Sequence, residues 1–445
     1  MLKNFFLSAV CLALGVSARA SGYQVALQGQ KQAGMGHTGT ALAWDASSLF
    51  FNPGSLAFLK KSSIIGGASF ISSTVGYVGP SPSSYQAETS SPIGTPFGAY
   101  IAIKVGSKLV VGFGAYTPYG SSIKWGEQFA YKNNLQELTL KSIVYQPTLS
   151  YKITDKIGIG AGLTINTGSV DLKKTVPVES PGNMGDTISA QVELKGKAKV
   201  AFGFNVGIHV QATERLSVGA SYRSKVDAVV QNGDASYTGS VLPVLTGSFG
   251  IGGKTTFDAT LPLPAVASVG IGYKATPALT LALDANYTFW SVYKELKFNF
   301  KDYFGTGTVS ATPRNYKDVV AVRVGANYDV VKQLSLRAGG YYDLTPVKAG
   351  YMTLETPDAD RIGLSFGVGI RPIENLHIDA SLVMIFGQKR TQSQADINAT
   401  GTATTYTNLD GTKSTSYSGG NVGAVAPGTY MQRAFIPGVS IGYNF

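Results

Sequence analysis

Cysteine is nearly absent: Cys11 is the only one in 445 residues, and it lies inside a segment that reads as an export signal. Lys3 supplies the positive start, Phe5 to Val16 the apolar stretch and Ala18-Arg19-Ala20 the small-residue cleavage site. Cleavage after Ala20 would leave a mature chain from Ser21 with no thiol, which excludes disulfide bracing and thiolate metal sites. Histidine is scarce too. His37, His209 and His377 are scattered and make a poor metal cluster, so neither metal nor cofactor is expected.

Charge is thin, with 14% of residues charged where a soluble protein carries about a quarter. After the signal no apolar run is long enough for a spanning helix. Basic runs alternating with aromatics are also missing, so nucleic acid is not an expected partner. The formal charge of +11 fits a generally basic surface or a positive interior that attracts anions.

What is present is glycine (54), tyrosine (24) and alternation of period two. Phe435, Val439, Ile441, Tyr443 and Phe445 share one face of the last strand, with Gly438, Ser440, Gly442 and Asn444 on the other. Ile362 to Ile370 and Leu216 to Tyr222 repeat the pattern. Only helices and closed barrels satisfy their backbone within lipid, and apolar-out, small-in alternation belongs to a barrel. Fourteen strands are expected: 62–76, 97–105, 108–118, 139–153, 155–173, 190–212, 213–232, 255–274, 277–300, 316–331, 333–346, 361–372, 374–390 and 431–445. Short turns follow the even-numbered strands and long polar loops the odd ones, as outer-membrane barrels require. Residues 391–430, rich in Thr, Ser, Asn and Gly, read as a solvated, mobile outer loop. The fold class expected is an all-β, 14-stranded antiparallel transmembrane barrel in the outer membrane of a Gram-negative bacterium.

Catalysis has little support. His377 and Asp379 share a lumen face, but no serine is singled out as a nucleophile. Gly158, Gly160 and Gly162 imitate a nucleotide fingerprint without the helix it needs and read as small lumen-facing residues. Arg223, Lys225, Asp284, Arg323, Arg337, Asp343, His377 and Asp379 are expected inward, mostly as paired networks, with one or two cations free to meet an anionic headgroup. Tyr287-Thr288-Phe289-Trp290 reads as an interfacial aromatic girdle. Leu261-Pro262-Leu263-Pro264 and Thr117-Pro118-Tyr119-Gly120 begin, bend or end strands, because proline cannot donate to a ladder.

One stretch breaks the pattern. Trp44 to Ala57 is apolar and aperiodic, and with Gly22-Tyr23-Gln24, Gly34-Met35-Gly36, Asp45-Ala46-Ser47 and Asn52-Pro53-Gly54 it resembles the N-terminal segment of the FadL/TodX (OMPP1) family of outer-membrane transporters of hydrophobic compounds. The likeness continues through Leu261-Pro262-Leu263-Pro264, Tyr287-Thr288-Phe289-Trp290, Asn315-Tyr316-Lys317-Asp318, Pro357-Asp358-Ala359-Asp360-Arg361 and the terminal Gly442-Tyr443-Asn444-Phe445. The resemblance implies a signal over 1–20, a hatch over 21–61 plugging the lumen, and a barrel over 62–445. It implies passive uptake of lipophiles, long-chain fatty acids or aromatic hydrocarbons, with hatch movement and sideways release beside a kinked third strand.

The resemblance also assigns residues. Asp45, Asn52, Pro53 and Gly54 belong to the hatch, Gly112, Gly114 and Pro118 are kink candidates, and Lys317, Arg323, Phe50 and Phe51 are candidates for ligand contact. Gly54 stands where alanine is usual, small for small. In the fifth strand, where a fatty-acid member carries an arginine, this chain reads Asn166-Thr167-Gly168. The expected protein is a monomer whose partners are a hydrophobic ligand and outer-membrane lipid. The rival readings are a general porin for polar solutes and a partner in protein secretion or surface attachment.

Overall fold

The computed structural model describes residues 22–179, 187–238, 254–303, 306–407, 413–421 and 425–445. The expected signal at 1–20 lies outside the described residues, as do parts of four expected outer loops.

Fourteen antiparallel strands run in order around a closed barrel. They are β1 (Ser63–Ser69, resuming as Ser72–Val78), β2 (Phe97–Val105), β3 (Leu109–Tyr116, resuming as Gly120–Lys124), β4 (Glu137–Lys152) and β5 (Ile157–Glu179). Next come β6 (Thr187–Gln211), β7 (Leu216–Arg223, resuming as Val226–Thr238), β8 (Lys254–Leu263, resuming as Val266–Lys274) and β9 (Leu279–Thr288, resuming as Glu295–Tyr303). The last five are β10 (Thr306–Pro313, resuming as Val319–Val331), β11 (Leu334–Asp343), β12 (Arg361–Ile373), β13 (Leu376–Gly387) and β14 (Gly428–Asn444). β14 closes the circle on β1, from Ser63↔Asn444 to Ser69↔Gly438. Closure removes both sheet edges, which is what lipid demands.

The alternation holds along the wall. On β12, Ile362, Leu364, Phe366, Val368 and Ile370 lie on the outer surface while Ser365 between them is buried. β5 and β6, at 23 and 25 residues, exceed the roughly ten needed to cross a bilayer.

Three features differ from the sequence reading. Lys225 is exposed and paired with Asp227 at 2.9 Å, because the break at Ser224-Lys225 shifts the alternation of β7 and turns both Arg223 and Val226 inward. Trp290 leaves the girdle: Tyr287 faces outward, but a short 3₁₀ turn, Trp290–Val292, buries the indole completely. The 391–430 loop is partly built. Ser393 caps a short helix, Gln394–Asn398, through a capping box with Asp396, and a hairpin pairs Thr402–Thr407 with Lys413–Ser418. Buried Gln392 ties this loop to another by bonding both the amide and the carbonyl of Met352. Its polar composition concealed that local bonding.

Apart from one bridge, Gln24 to Tyr119, residues 22–61 do not join the wall. They hold two single-turn helices, α1 (Gln30–Ala33) and α2 (Ser48–Phe51), and a 3₁₀ turn over Pro53–Phe58. Their backbone is satisfied by inward side chains from opposite sides of the barrel. One Asp284 oxygen accepts from the Gly39 amide (2.8 Å), the Thr40 amide (2.9 Å) and the Thr40 hydroxyl (2.8 Å). Ser365 takes the Gly36 amide, Ser150 the Ala57 amide, and Ser221 donates to Phe51 O.

Lumen glycines make this possible. Gly339 touches Met35 and Gly36, Gly219 touches Thr40 O, and Gly160 touches Pro53. A side chain at any of them would occupy backbone of the segment. The nucleotide-like fingerprint of Gly158 and Gly160 is therefore a close approach of two backbones.

An apolar cavity above a plugged lumen

Asn52-Pro53-Gly54 sits against β6. Asn52 Nδ2 donates to both Thr40 O and Ile208 O at 2.8 Å, and its Oδ1 accepts from Gly54 N, capping the 3₁₀ turn begun by Pro53. Asp45, fully buried, pairs with Lys31 at 3.0 Å and accepts from the Ser47 amide. Lys31 lies 3.9 Å from Asp379, which binds Arg337 at 2.8 Å and His377 at 3.3 Å. The inward charges thus form a connected network between segment and wall. In such a buried network each member depends on its partners, because an unpaired charge there is costly.

Phe50, Phe51 and Arg323 border one internal cavity of about 60 Å³, together with His37, Arg223 and Asp343. Its polar walls are partly engaged, with His37 Nε2 and Arg323 Nη1 left without a hydrogen-bond partner among the described residues. Arg323 bonds Asn286 and Asp343, and Arg223 donates to Tyr116 and Phe50 O while lying over the Phe50 ring at 4.4 Å.

Towards the outer loops lies a second cavity of about 110 Å³, nearly all apolar. Leu138, Leu140, Val230, Leu261, Leu296 and Phe298 give it its character. Tyr23 and Tyr119 border this upper cavity and Trp290 the lower one. Tyr23 packs edge-on against Trp290 at 4.8 Å, so a layer of rings separates the two spaces. The prolines of β8 explain part of that layer. Proline cannot donate to a ladder, and here the Tyr23 and Tyr119 hydroxyls donate to Pro262 O and Pro264 O.

Lys317 borders neither cavity; its amide donates to Pro346 O. The buried cation on the upper wall is Arg314, 3.7 Å from Glu355, and sequence reading missed it. Its signal was available only as an arginine just before the Asn315-Tyr316-Lys317 motif. Gly112 and Gly114 do not kink β3. Their ladders to β2 and β4 run unbroken from Leu109 to Tyr116, and the glycines instead admit Leu56 and Leu49 of the segment. The strand breaks after Tyr116, at Thr117-Pro118-Tyr119, where its backbone turns to residues 23–28. Val25 N donates to Pro118 O, Gly120 N to Tyr23 O, and Gln28 to Thr117 O.

The departure at Gly54 is tighter than it looked. A Cβ there would lie 2.7 Å from Gly207 O and 2.9 Å from Gly158 O, so alanine does not fit without a shift of backbone.

Residues 11–424 match the family described as outer membrane protein transport protein (OMPP1/FadL/TodX). The chain is 27% identical over 419 residues to a 47 kDa outer membrane protein of Pasteurella multocida, covering 90% of this chain and 95% of that one. It is 25% identical to a long-chain fatty acid transport protein of Escherichia coli, covering 86% and 90%. Among solved structures it resembles a FadL homologue of Pseudomonas aeruginosa (TM-score 0.78, 20% identity, 96% and 100% covered) and the toluene transporter TbuX of Ralstonia pickettii (TM-score 0.66, 17% identity, 94% and 98% covered).

Proposed function

The chain belongs to the OMPP1/FadL/TodX family of outer-membrane transport proteins, and on that premise we propose that it carries lipophilic molecules inward by passive diffusion. The observation that carries this reading is the apolar upper cavity lying directly above a lumen filled by residues 22–61. Burying an alkyl chain contributes about 0.8 kcal/mol per CH₂, enough to draw a lipophile out of water with no energy source. Residues 21–61 act as a hatch that denies passage to polar solutes, and the protein works as a monomer. Ligand passes from the upper cavity, past the Tyr23–Trp290 layer, to the space beside Phe50, Phe51 and Arg323. Shift of the hatch frees the β3 break at Pro118 for sideways release. Long-chain fatty acids and aromatic hydrocarbons are the substrate classes, with Arg314 as the headgroup contact on the cavity wall and Lys317, outside both cavities, the alternative that the family implies.

Mass spectrometry of ligands retained by the purified protein tests the reading, with Arg314→Ala and Lys317→Ala alongside. The expected result is a bound lipophile in the parent, with acids depleted in at least one variant. Protein free of any lipophile under mild extraction would count against uptake.

A further inference from the structure

The barrel wall is unevenly bonded. β6 and β7 pair from Gln211↔Ser217 to Asn205↔Arg223, and pairing returns at Ala198↔Val230 and from Lys195↔Asp234 to Gln191↔Thr238. Between Arg223 and Val230 there is no ladder. Ser224 makes the last bonds, its amide to Phe204 O and its hydroxyl from Phe204 N, both at 2.9 Å. Beyond it the two strands meet through side chains alone. A Cβ on Gly203 would lie 2.6 Å from Val226 Cγ2, so Val226 fills the space over that glycine, and Val230 does the same over Gly196.

Two irregularities flank the seam on either side, one in the β5–β6 pair and one in the β7–β8 pair. In β6, Lys199 and Val200 face only Thr167 of β5, a bulge between Asn166↔Ala201 and Gly168↔Ala198. In β8, Pro264 stands where Ser224-Lys225 would seek a partner, between Arg223↔Val266 and Val226↔Leu263.

Inside the seam is the apolar cavity, bordered by Lys199 and Ala201 from one strand and Ala228 and Val230 from the other. Outside it, Val200, Phe202 and Phe204 are exposed on the lipid-facing wall. At its outer end stand lysines. Lys141 lies opposite Ser169, which lies opposite Lys197, placing the two about 10 Å apart across two strand spacings. Lys199 follows in the bulge. Among the described residues none of these three has a carboxylate in ion-pair range, whereas the neighbouring acids are taken: Glu193 and Asp171 by Lys173 and Lys195, Asp227 by Lys225, and Asp258 by Lys301.

We propose that the β6–β7 seam is a lateral inlet through which an anionic amphiphile dissolved in the outer leaflet reaches the apolar cavity, its headgroup held by Lys141, Lys197 and Lys199. The proposal rests on the uptake reading for what the cavity holds. Parting a laddered wall inside lipid would strand backbone groups at several kcal/mol each. Here the ladder is already missing, and what must yield is the apolar contact of Val226 beside the Ser224 hydroxyl over Gly203. The long lysine stems can keep their ammonium groups at headgroup level while the alkyl tail slides between Val226 and Gly203.

The mature chain has no cysteine, so Gly203→Cys with Val226→Cys creates the only pair able to tether the seam. Uptake of a radiolabelled long-chain carboxylate is measured in a Gram-negative host deleted for its own transporter, before and after reduction with dithiothreitol. Uptake at least tenfold below the parent when oxidised, restored by reduction, supports the inlet. A pair shown by mass spectrometry to be fully oxidised that carries ligand at the parent rate overturns it. The Lys141→Ala/Lys197→Ala/Lys199→Ala variant leaves the seam itself intact. It is expected to raise the half-saturating concentration several-fold for the carboxylate and leave its methyl ester unchanged; equal effects on both, or on neither, overturn the headgroup assignment. A parent that carries neither ligand overturns the uptake reading itself, and the inlet with it.

Discussion

Asp284 holds the N-terminal segment through one oxygen that accepts three hydrogen bonds from Gly39 and Thr40. Bonds to a charged acceptor contribute about 1.5–3 kcal/mol each, and they are not additive when they share it. Asp284→Ala is therefore expected to cost about 2–4 kcal/mol in chemical unfolding of the detergent-solubilised barrel. It should also raise leak conductance, because the first thing released is the turn over Gly39-Thr40. Gly54→Ala acts by space instead of bonding. With carbonyls of Gly158 and Gly207 on either side, the methyl group is expected to cost about 1–3 kcal/mol in the same assay; unchanged stability would show that the wall can yield there. That residue also marks a limit of reading from sequence. Small-for-small was a sound inference from the motif alone, but the atoms that decide it lie on β5 and β6, over a hundred residues away.

At the level of elements, the strands were legible because one face meets lipid and the other a crowded lumen, so period two is enforced on every crossing. Their interruptions were legible only where proline marks them. Pro118, Pro262 and Pro264 pointed to breaks, whereas Gly112 and Gly114 looked like kinks and are instead recesses for Leu56 and Leu49. The β6 bulge left no sign, since Lys199-Val200 reads as any lysine beside any valine. The breaks are stabilised by groups from elsewhere, and this gives an element-scale prediction. Tyr23→Phe and Tyr119→Phe each remove a donor to a buried carbonyl of β8, at about 1–3 kcal/mol. Hydrogen exchange should quicken over Leu261–Val266 while β11 and β12, which share no contact with those hydroxyls, keep their protection.

For the whole molecule, the barrel and a non-strand N-terminal segment were foreseeable and the cavity was not. Phe50, Phe51 and Arg323 were singled out and do share one space. The upper cavity draws its wall from strands far apart in the chain, plus Tyr23, and no window of sequence contains it. Arg314 was overlooked for the same reason: its partner Glu355 comes from another loop. With residues 22–61 removed, the lumen would lose the backbone that its glycines were shaped to admit. The shortened barrel is expected to pass small ions in planar bilayers at many times the parent's conductance; equal conductance would mean that the segment does not close the pore.

The central claim is that this barrel passes lipophiles and refuses polar solutes. The most direct measurement is paired uptake of a radiolabelled long-chain carboxylate and a small polar sugar by a Gram-negative host lacking its own lipophile transporter and general porins. Saturable entry of the carboxylate that depends on expression of this protein is expected, with sugar entry at the level of the empty host. Sugar entry that rises with expression while carboxylate entry does not would contradict it.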